Sequence, residues 1–344
     1  MIRIASTRRA IAAVLVAMLA IGLLAACSGK PTEAAKPATP ATPAEKPAAI
    51  RIGTLATEDS LPLWVAEKMG YFATEGIPSV EIVSFQSAQE RDVALASGAI
   101  DGFMGDMIAA ANLEASGKKV SIATIMLGAD QTQGRFGIVV PTVKNADMKT
   151  GAAGLGALAG VAIGTSSATI QEYVLDGLMK EAGVPADQVK IEEVKKVPVR
   201  FELLMAGKLK AAALPEPFLT LAQQGGATIV ADDTTAKANL SQTVLVLSDE
   251  FLAAKGGAAT EAAILEAWDL AVNDINKSPD DYRKLLVEKA RLPKPLATSY
   301  KVNVYPTHQL PSTAEVNAVL GWMKDKGYLK GNVTIGDLIP ETVQ

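Results

Sequence analysis

Residues 50–102 read IRIGTLATEDSLPLWVAEKMGYFATEGIPSVEIVSFQSAQERDVALASGAIDG, and a second stretch of the chain repeats their pattern. The first copy opens on Ile52-Gly53-Thr54 and the second on Ile163-Gly164-Thr165. Each copy continues into a helix-like segment, a glycine turn, a second strand-like run and a short helix that ends at Gly98 or Gly207. These end glycines lie 45 and 43 positions after the opening glycine. Two matched β-α-β-α-β units predict two similar lobes, with a ligand cleft where their strand ends meet.

Strand-like and helix-like segments alternate through both copies, which indicates an α/β fold. The strands are nearly continuous apolar runs, and this favours sheets that are mainly parallel. Two chain crossings, near residues 135–143 and 238–247, are predicted to form a hinge. The glycine-rich residues 146–160 are predicted to be a loop. The predicted first lobe consists of residues 50–140 and 245–344, and the second lobe of residues 141–244.

The amino-terminal residues have the anatomy of an export signal. Residues 1–26 carry three arginines followed by an apolar run, and Leu24-Ala25-Ala26-Cys27 reads as a lipoprotein cleavage box in which the Cys27 thiol takes the lipid. An uncleaved membrane anchor is the alternative. Residues 27–49 are rich in Lys, Pro, Ala, Thr and Glu, which is typical of an extended tether. We therefore expect an exported, lipid-anchored protein that faces the periplasm or the cell exterior.

The composition excludes several classes of function. The formal charge of the 344-residue chain is −4, and loss of the three signal arginines leaves −7, so nucleic acid is an unfavourable partner. The chain contains one cysteine and one histidine, His308. This inventory assembles no Ser-His-Asp set and no metal cluster, so we expect no enzyme, no cofactor and no bound metal. A monomer is expected.

Several motifs carry a family resemblance. PLWVAEKMGYF at residues 62–72, ALASGAIDG at residues 94–102 and Pro215-Glu216-Pro217-Phe218 look like those of the nitrate/sulfonate/taurine/thiamine-precursor family of solute-binding proteins. These proteins serve ABC importers, and the resemblance spans residues 50–329. It implies a two-lobed periplasmic-binding-protein fold of type II, with parallel-rich sheets in both lobes joined by a two-strand hinge. It also implies permease subunits and a cytoplasmic ATPase as partners.

The function implied by this resemblance is capture of a small solute. A substrate-binding lipoprotein would take a small polar or anionic organic molecule of the sulfonate, nitrate or pyrimidine-like class into the cleft and deliver it to the permease. A ligand-sensing lipoprotein with a signalling partner is one alternative. A pyrimidine-synthase-like enzyme is another, but those proteins carry a cysteine-rich iron site that this chain cannot supply.

Candidate ligand contacts lie in the loops after the strands. The turn at residues 164–169 combines small hydroxyl residues with a helix start, which suits an anion or a carbonyl, and ordinary helix capping is the alternative. Trp64 would offer a stacking face. Asp106 would accept from an amine or amide on the ligand, or cap a helix.

Arginines are the remaining candidates. Arg91 and Arg200 occupy matched positions in the two copies, where they either meet an anion or point to solvent, and Arg135 is placed at the hinge as an anion candidate. The predicted ligand-binding residues are Thr54, Trp64, Gln86, Ser87, Asp106, Arg135, Thr165, Ser166, Ser167, Thr169, Arg200, Glu216 and Phe218.

Overall fold

The computed structural model describes residues 45–133, 135–141, 149–294 and 296–339, and within them the chain forms two five-stranded sheets surrounded by helices. The strands are β1 (Ile50–Leu55), β2 (Val80–Phe85), β3 (Gly102–Asp106), β4 (Val120–Leu127), β5 (Phe136–Val140), β6 (Ala162–Thr165), β7 (Lys190–Glu193), β8 (Ala211–Pro215), β9 (Thr228–Asp232) and β10 (Thr243–Ser248). The helices are α1 (Leu61–Met69), α2 (Tyr71–Thr74), α3 (Ala88–Ala96), α4 (Met107–Ala115), α5 (Gly151–Ala157), α6 (Ile170–Glu181), α7 (Val197–Met205), α8 (Phe218–Gln224), α9 (Asp249–Ala253), α10 (Gly257–Lys277), α11 (Pro279–Lys289), α12 (Leu296–Ser299), α13 (Thr313–Asp325) and α14 (Ile335–Leu338).

The first sheet has the strand order β2-β1-β3-β10-β4. β1 runs parallel to β2 and β3, whereas β10 runs antiparallel to β3 and β4. Every residue of β3, β4 and β10 is buried. Strands covered on both faces are mainly apolar, and this explains the long apolar runs of these strands.

The second sheet repeats this plan with the order β7-β6-β8-β5-β9. β6 runs parallel to β7 and β8, and β5 runs antiparallel to β8 and β9. The predicted α/β architecture of two similar lobes is thus confirmed. Both sheets are mixed rather than parallel throughout, because β10 and β5 each enter their sheet from the opposite direction.

The exchange of one strand between the lobes corrects the predicted crossings. β5 was expected to close the first lobe, but it pairs with β8 and β9 in the second sheet. A short β-branched run suits either sheet, so its partners could not be inferred from its composition. The chain therefore leaves the first sheet over residues 128–135 and returns over residues 233–242, earlier than predicted in both cases.

The chain after β10 packs against the first sheet and its helices. α10 and α11 contact α1, whereas α13 and α14 contact α4. Trp268 of α10 is fully buried in this core, and its indole N–H donates to the Pro306 carbonyl at 3.0 Å. These contacts pack the described residues after β10 against the first sheet's side of the molecule, and the boundaries of the two lobes remain a prediction.

Two further sequence predictions concern the chain's irregular segments. Residues 146–160 were expected to be a loop, yet α5 lies within them and contacts β9 and α6, which shows tertiary packing overriding the low helix propensity of glycine. The predicted signal peptide of residues 1–26, the predicted lipidation site Cys27 and the predicted tether as far as residue 44 lie outside the described residues. In the part of the chain that the structure describes, no helix has both the length and the apolar character needed to cross a membrane.

The two crossings touch at Gly128, and this contact gives a first prediction. Gly128 has a φ of 85°, and a Cβ there would lie 2.7 Å from the Ser241 carbonyl oxygen. We expect Gly128→Ala to lower the free energy of unfolding by about 2 kcal/mol, from left-handed strain and the backbone clash together. Gly117→Ala is the control, because Gly117 has a φ of 89° with no atom within 4 Å of the added Cβ. Equal losses in urea unfolding of the two variants would show that the close approach of the crossings has no energetic weight.

Candidate functional site

A cavity lies between the two lobes and is partly open to solvent. Its walls come from the segments that follow β1, β3, β6 and β8, with contributions from α3, from Arg135 of the first crossing and from Thr243 of β10. These are carboxyl ends of parallel strands, where open α/β sheets bind their ligands. The cavity is therefore the candidate ligand site.

Glu58 is a buried carboxylate of the first lobe at this cavity. It lies in a 3₁₀ turn directly after β1. The Tyr300 hydroxyl donates to Glu58 Oε2 at 2.6 Å, and the Asn303 backbone N–H donates to Oε1 at 2.9 Å. The Tyr305 hydroxyl donates to the Glu58 backbone carbonyl at 2.8 Å. Burial, reinforced by the neighbouring Glu216 charge, raises the pKa of Glu58 to about 8.

Asp59 and Asp106 add two more buried carboxylates from the same lobe. Asp59 is 6% exposed, and burial raises its pKa although the hydroxyls of Thr57 and Thr243 act in the opposite direction. Asp106 caps α4 by accepting from the Ala109 N–H at 2.8 Å. It also accepts from the Ile170 N–H of the second lobe at 3.3 Å, and burial raises its pKa as well.

An ion-paired group stands on the second lobe's side of the cavity. Arg135 donates to Glu216 Oε1 at 3.1 Å and to Asp232 Oδ2 at 2.9 Å. Glu216 also accepts from the backbone N–H and the hydroxyl of Thr220, at 3.0 and 2.8 Å. Burial raises the pKa of Glu216 against the opposing effect of these bonds. Arg135 is thus held by carboxylates and positioned as part of the wall.

Arg91 is the cavity's most buried cation. Only 1% of its side chain is exposed, and its guanidinium lies 4.4 Å from the centre of the Phe103 ring. Nε and Nη2 donate to Asp92 at 2.9 and 2.7 Å, and Nη1 donates to the Met104 carbonyl at 2.8 Å. The guanidinium therefore enters the cavity wall with its charge already paired.

The turn between β6 and α6 lines the opposite wall. Ser166 and Thr169 face the cavity, and the Thr169 hydroxyl donates to the Ser166 carbonyl at 2.7 Å. Ala168 has a φ of 55°, and its N–H donates to Glu172 Oε2 at 2.7 Å. A non-glycine residue in this region carries backbone strain, which is often found where a turn is shaped around a ligand.

Side chains of the two lobes meet at the mouth of the cavity. Lys195 Nζ donates to Gln89 Oε1 at 2.7 Å. Lys196 Nζ lies 2.9 Å from Glu90 Oε1 and donates to Gln86 Oε1 at 3.2 Å. These bonds join α3 of the first lobe to the segment before α7 of the second, so the structure represents the closed arrangement of the lobes.

The predicted site residues separate into two groups. Five of them line the cavity together: Asp106, Arg135, Ser166, Thr169 and Glu216. Trp64 of α1 does not line the cavity, because it is 3% exposed and packs in the core. Phe218 packs against Phe201 with ring centres 5.7 Å apart, also in the core. Thr54 and Thr165 are fully buried at matched strand ends behind the cavity wall.

The other predicted residues hold neighbouring chain segments. Ser87 caps α3 by accepting from the Glu90 N–H, and Gln86 takes part in the contact with Lys196 at the mouth. Ser167 hydrogen bonds to Glu193. Arg200 is fully buried and donates to the Val194 carbonyl and to Gln171, so the expectation that it might point to solvent is wrong, as it is for Arg91. Burial lowers the pKa of Arg200 to about 9.

The sequence did not single out Glu58, Asp59 or Thr243 as ligand contacts, although all three line the cavity, as does Arg91. Glu58 and Asp59 lie in the 3₁₀ turn that directly precedes α1. A buried Glu58 depends on Tyr300 and Asn303, more than 240 positions away. No local pattern in the sequence predicts a contact between residues so far apart.

The raised pKa of Glu58 predicts how stability depends on pH. A carboxyl whose folded-state pKa exceeds its unfolded value binds more protons when folded, so stability is highest at acid pH and is lost as the pH rises towards 8. We expect the free energy of unfolding to fall between pH 6 and 7.5 by up to about 2 kcal/mol on account of this group.

The Glu58→Gln variant removes this titration and should show a shallower fall in urea unfolding over the same pH range. Part of the fall should remain, because burial also raises the pKa of Asp233 to about 7. An unchanged slope in the Glu58→Gln variant would contradict the assignment.

Within the described ranges, no group of three or more His, Cys, Asp or Glu side chains is placed to hold a metal ion.

Comparison with known proteins identifies what the chain is similar to. A family model, that of the NMT1-like family, matches residues 43–286. A comparison with curated proteins gives no match.

Solved structures share the fold at low sequence identity. The periplasmic aliphatic sulphonate binding protein SsuA from Escherichia coli is 19% identical with a TM-score of 0.69, over 87% of this chain and 99% of that one. The alkanesulfonate-binding protein SsuA from Xanthomonas axonopodis pv. citri, bound to MOPS, is 17% identical with a TM-score of 0.69, over 85% and 98%. The periplasmic nitrate-binding protein NrtA from Synechocystis PCC 6803 is 15% identical with a TM-score of 0.70, over 87% and 88%.

Proposed function

Because the chain belongs to the NMT1-like family, we propose that it is the solute-binding component of an ABC-type importer. It captures a small polar solute between its two lobes, and the closed form delivers that solute to a membrane permease driven by a cytoplasmic ATPase. The sulfonate-binding and nitrate-binding proteins that share its fold support this function. No chemical step is required of the protein.

The observation that carries this function is the cavity itself. It lies between two lobes that the chain connects by two crossings, and such a connection permits closure about a ligand. The wall contains polar groups from both lobes, among them Asp106 of the first and Ser166 and Glu216 of the second. A solute bound there would therefore link the lobes and favour the closed form.

Export and anchoring complete the proposed function. Cys27 carries the lipid after removal of residues 1–26, and residues 27–49 tether the binding domain to the membrane. Incorporation of a labelled fatty acid into the full chain, and its loss in Cys27→Ser, would support this attachment. Labelling that persists in Cys27→Ser would contradict it.

A thermal-shift screen of the full chain tests solute binding. The panel contains sulfonates, nitrate, bicarbonate, pyrimidines, aromatic acids, amines and amidines. A solute at 100 times its dissociation constant should stabilise the fold by about 2.7 kcal/mol, which is a shift of a few degrees. Absence of any saturable shift across the panel would contradict a small-solute function for the cavity.

A further inference from the structure

Carboxylates dominate the charge of the cavity wall. Four of them line it, two from the turn after β1, one from the end of β3 and one from the segment after β8: Glu58, Asp59, Asp106 and Glu216. The wall's cations are Arg91, Arg135 and Lys195. The sign of the charge that the cavity can accept depends on which of these groups already have partners.

The cations of the wall are already engaged. Arg91 is paired with Asp92, and Arg135 with Asp232 and Glu216. Asp92 pairs with Arg91 and Asp232 with Arg135, and neither aspartate lines the cavity. Both arginines are therefore neutralised by carboxylates outside the wall. Lys195 is exposed at the mouth and donates to Gln89. No cation is therefore both buried in the wall and without a partner among the described residues.

One carboxylate oxygen of the wall is without a hydrogen bond of normal geometry among the described residues. Asp59 is 6% exposed and Thr243 is 3% exposed, and both line the cavity. Neither Asp59 Oδ1 nor Thr243 Oγ1 makes a hydrogen bond of normal geometry to any described residue, although the two groups are close enough for Thr243 to affect the pKa of Asp59. A buried acceptor without a well-aligned donor is costly, so an N–H of a solute that donates to this oxygen would be favourable.

The raised pKa values of the wall's four carboxyl groups also favour a cationic solute over an anionic one. Burial raises the pKa of Glu58, Asp59, Asp106 and Glu216 above their ordinary values, because it disfavours the charged form, and the nearby arginines offset this effect only in part. An anion placed among these groups would add repulsion. A cation would relieve it.

Resting on the proposed function, we infer that the solute carries a positively charged nitrogen group, an ammonium or amidinium, whose N–H donates to Asp59 Oδ1. The rest of the solute is compact and apolar, because the wall between the carboxylates is formed by Leu55, Met104, Leu127, Phe136, Ile170 and Val197. This specificity differs in the sign of the charge from the sulfonates and nitrate named for the structural neighbours.

Two isosteric pairs of probes test the sign of the charge. Benzamidinium is compared with benzenesulfonate, and butylammonium with butane-1-sulfonate, by calorimetric titration of the full chain up to 10 mM. In each pair the cation should bind at least 10-fold more tightly. Binding of either sulfonate more tightly than its cation would overturn the inference while leaving a solute-binding function intact, and failure of both cations to bind would also overturn it.

A substitution identifies the recognising group. Asp59→Asn should weaken the binding of benzamidinium by about 10-fold or more, whereas Asp325→Asn, an exposed site on α13, should leave it unchanged. Equal effects of the two substitutions would contradict a contact at Asp59. The comparison of probes on the unaltered chain does not depend on whether Asp59→Asn folds.

Proton release gives an independent readout. The groups that face the four carboxyls are Arg91 of α3, Arg135 and Lys195 of the second lobe, and Tyr300 and Tyr305, which contact Glu58. A bound cation lowers the pKa values of the carboxyls, so a cation that binds at pH 7 should release protons. Binding enthalpies that are the same in phosphate and in Tris buffer, after correction for dilution, would contradict a cation among these carboxyls.

Discussion

The Lys326→Met variant is expected to lose about 3 kcal/mol of unfolding free energy. Lys326 Nζ lies 2.8 Å from Glu172 Oε1 and 2.9 Å from Asp176 Oδ2, and it thereby connects the end of α13 in the first lobe to α6 in the second. The Glu172 side chain is fully buried. Without Lys326 its charge would be left with hydrogen-bond donors but with no cation, which is the costly way to break a buried ion pair.

The loss is placed at the lower end of the range for buried pairs because a third of the Lys326 side chain is exposed. The surrounding contacts should survive the substitution. Trp322 donates to Asp176 at 2.9 Å, and the Tyr328 hydroxyl donates to Glu172 at 3.0 Å. These two bonds hold the carboxylates in place, so the effect should come from the missing charge and not from a collapsed helix.

Lys324→Met is the matched control, because Lys324 is exposed in the last turn of α13. It should change the stability by less than about 0.5 kcal/mol. Adding Glu172→Gln to Lys326→Met should restore part of the loss, since it removes the uncompensated charge. Equal stabilities of Lys326→Met and Lys324→Met in urea unfolding would show that the ion pair does not stabilise the closed arrangement.

The second large effect concerns the cavity. Ala88 stands in the first turn of α3, lines the cavity and is half-buried there. Ala88→Trp would place an indole in the space that the solute needs. We expect the strongest-binding solute of the thermal-shift panel to lose about 100-fold in affinity, which corresponds to about 2.8 kcal/mol.

Val93→Trp is the control on the same helix. Val93 is 62% exposed and does not line the cavity, so a tryptophan there should leave both affinity and stability nearly unchanged. Calorimetric titration of both variants, with their unfolding curves, separates loss of binding from loss of fold. Full affinity in a folded Ala88→Trp protein would place the solute elsewhere.

The architecture was predictable because the pattern that specifies it is local and repeated. Each copy supplies a strand, a helix and a glycine turn in fixed order, and these elements form the parallel part of each sheet. β5 was assigned to the wrong sheet because strand composition reports burial and does not report the partner. Its antiparallel pairing with β8 joins residues 136 and 215, a contact that no sequence period encodes.

The site was less predictable for a related reason. Asp106 was assigned two possible roles, helix cap and ligand acceptor, and the structure shows the cap while leaving the side chain at the cavity. Trp64 was expected to face the cleft because it lies in the first turn of α1, but the packing of α1 against α10 buries it. Asp59 Oδ1 is buried by segments that are distant in the sequence, and its neighbour in space, Thr243, belongs to the returning strand.

A crystal structure of the full chain with the solute that stabilises it most is the most direct test of this account. We predict electron density for the solute inside the cavity, in contact with Asp59 of the first lobe and with Glu216 or Ser166 of the second. Density outside the cavity, or a solute that touches residues of only one lobe, would contradict capture between the lobes.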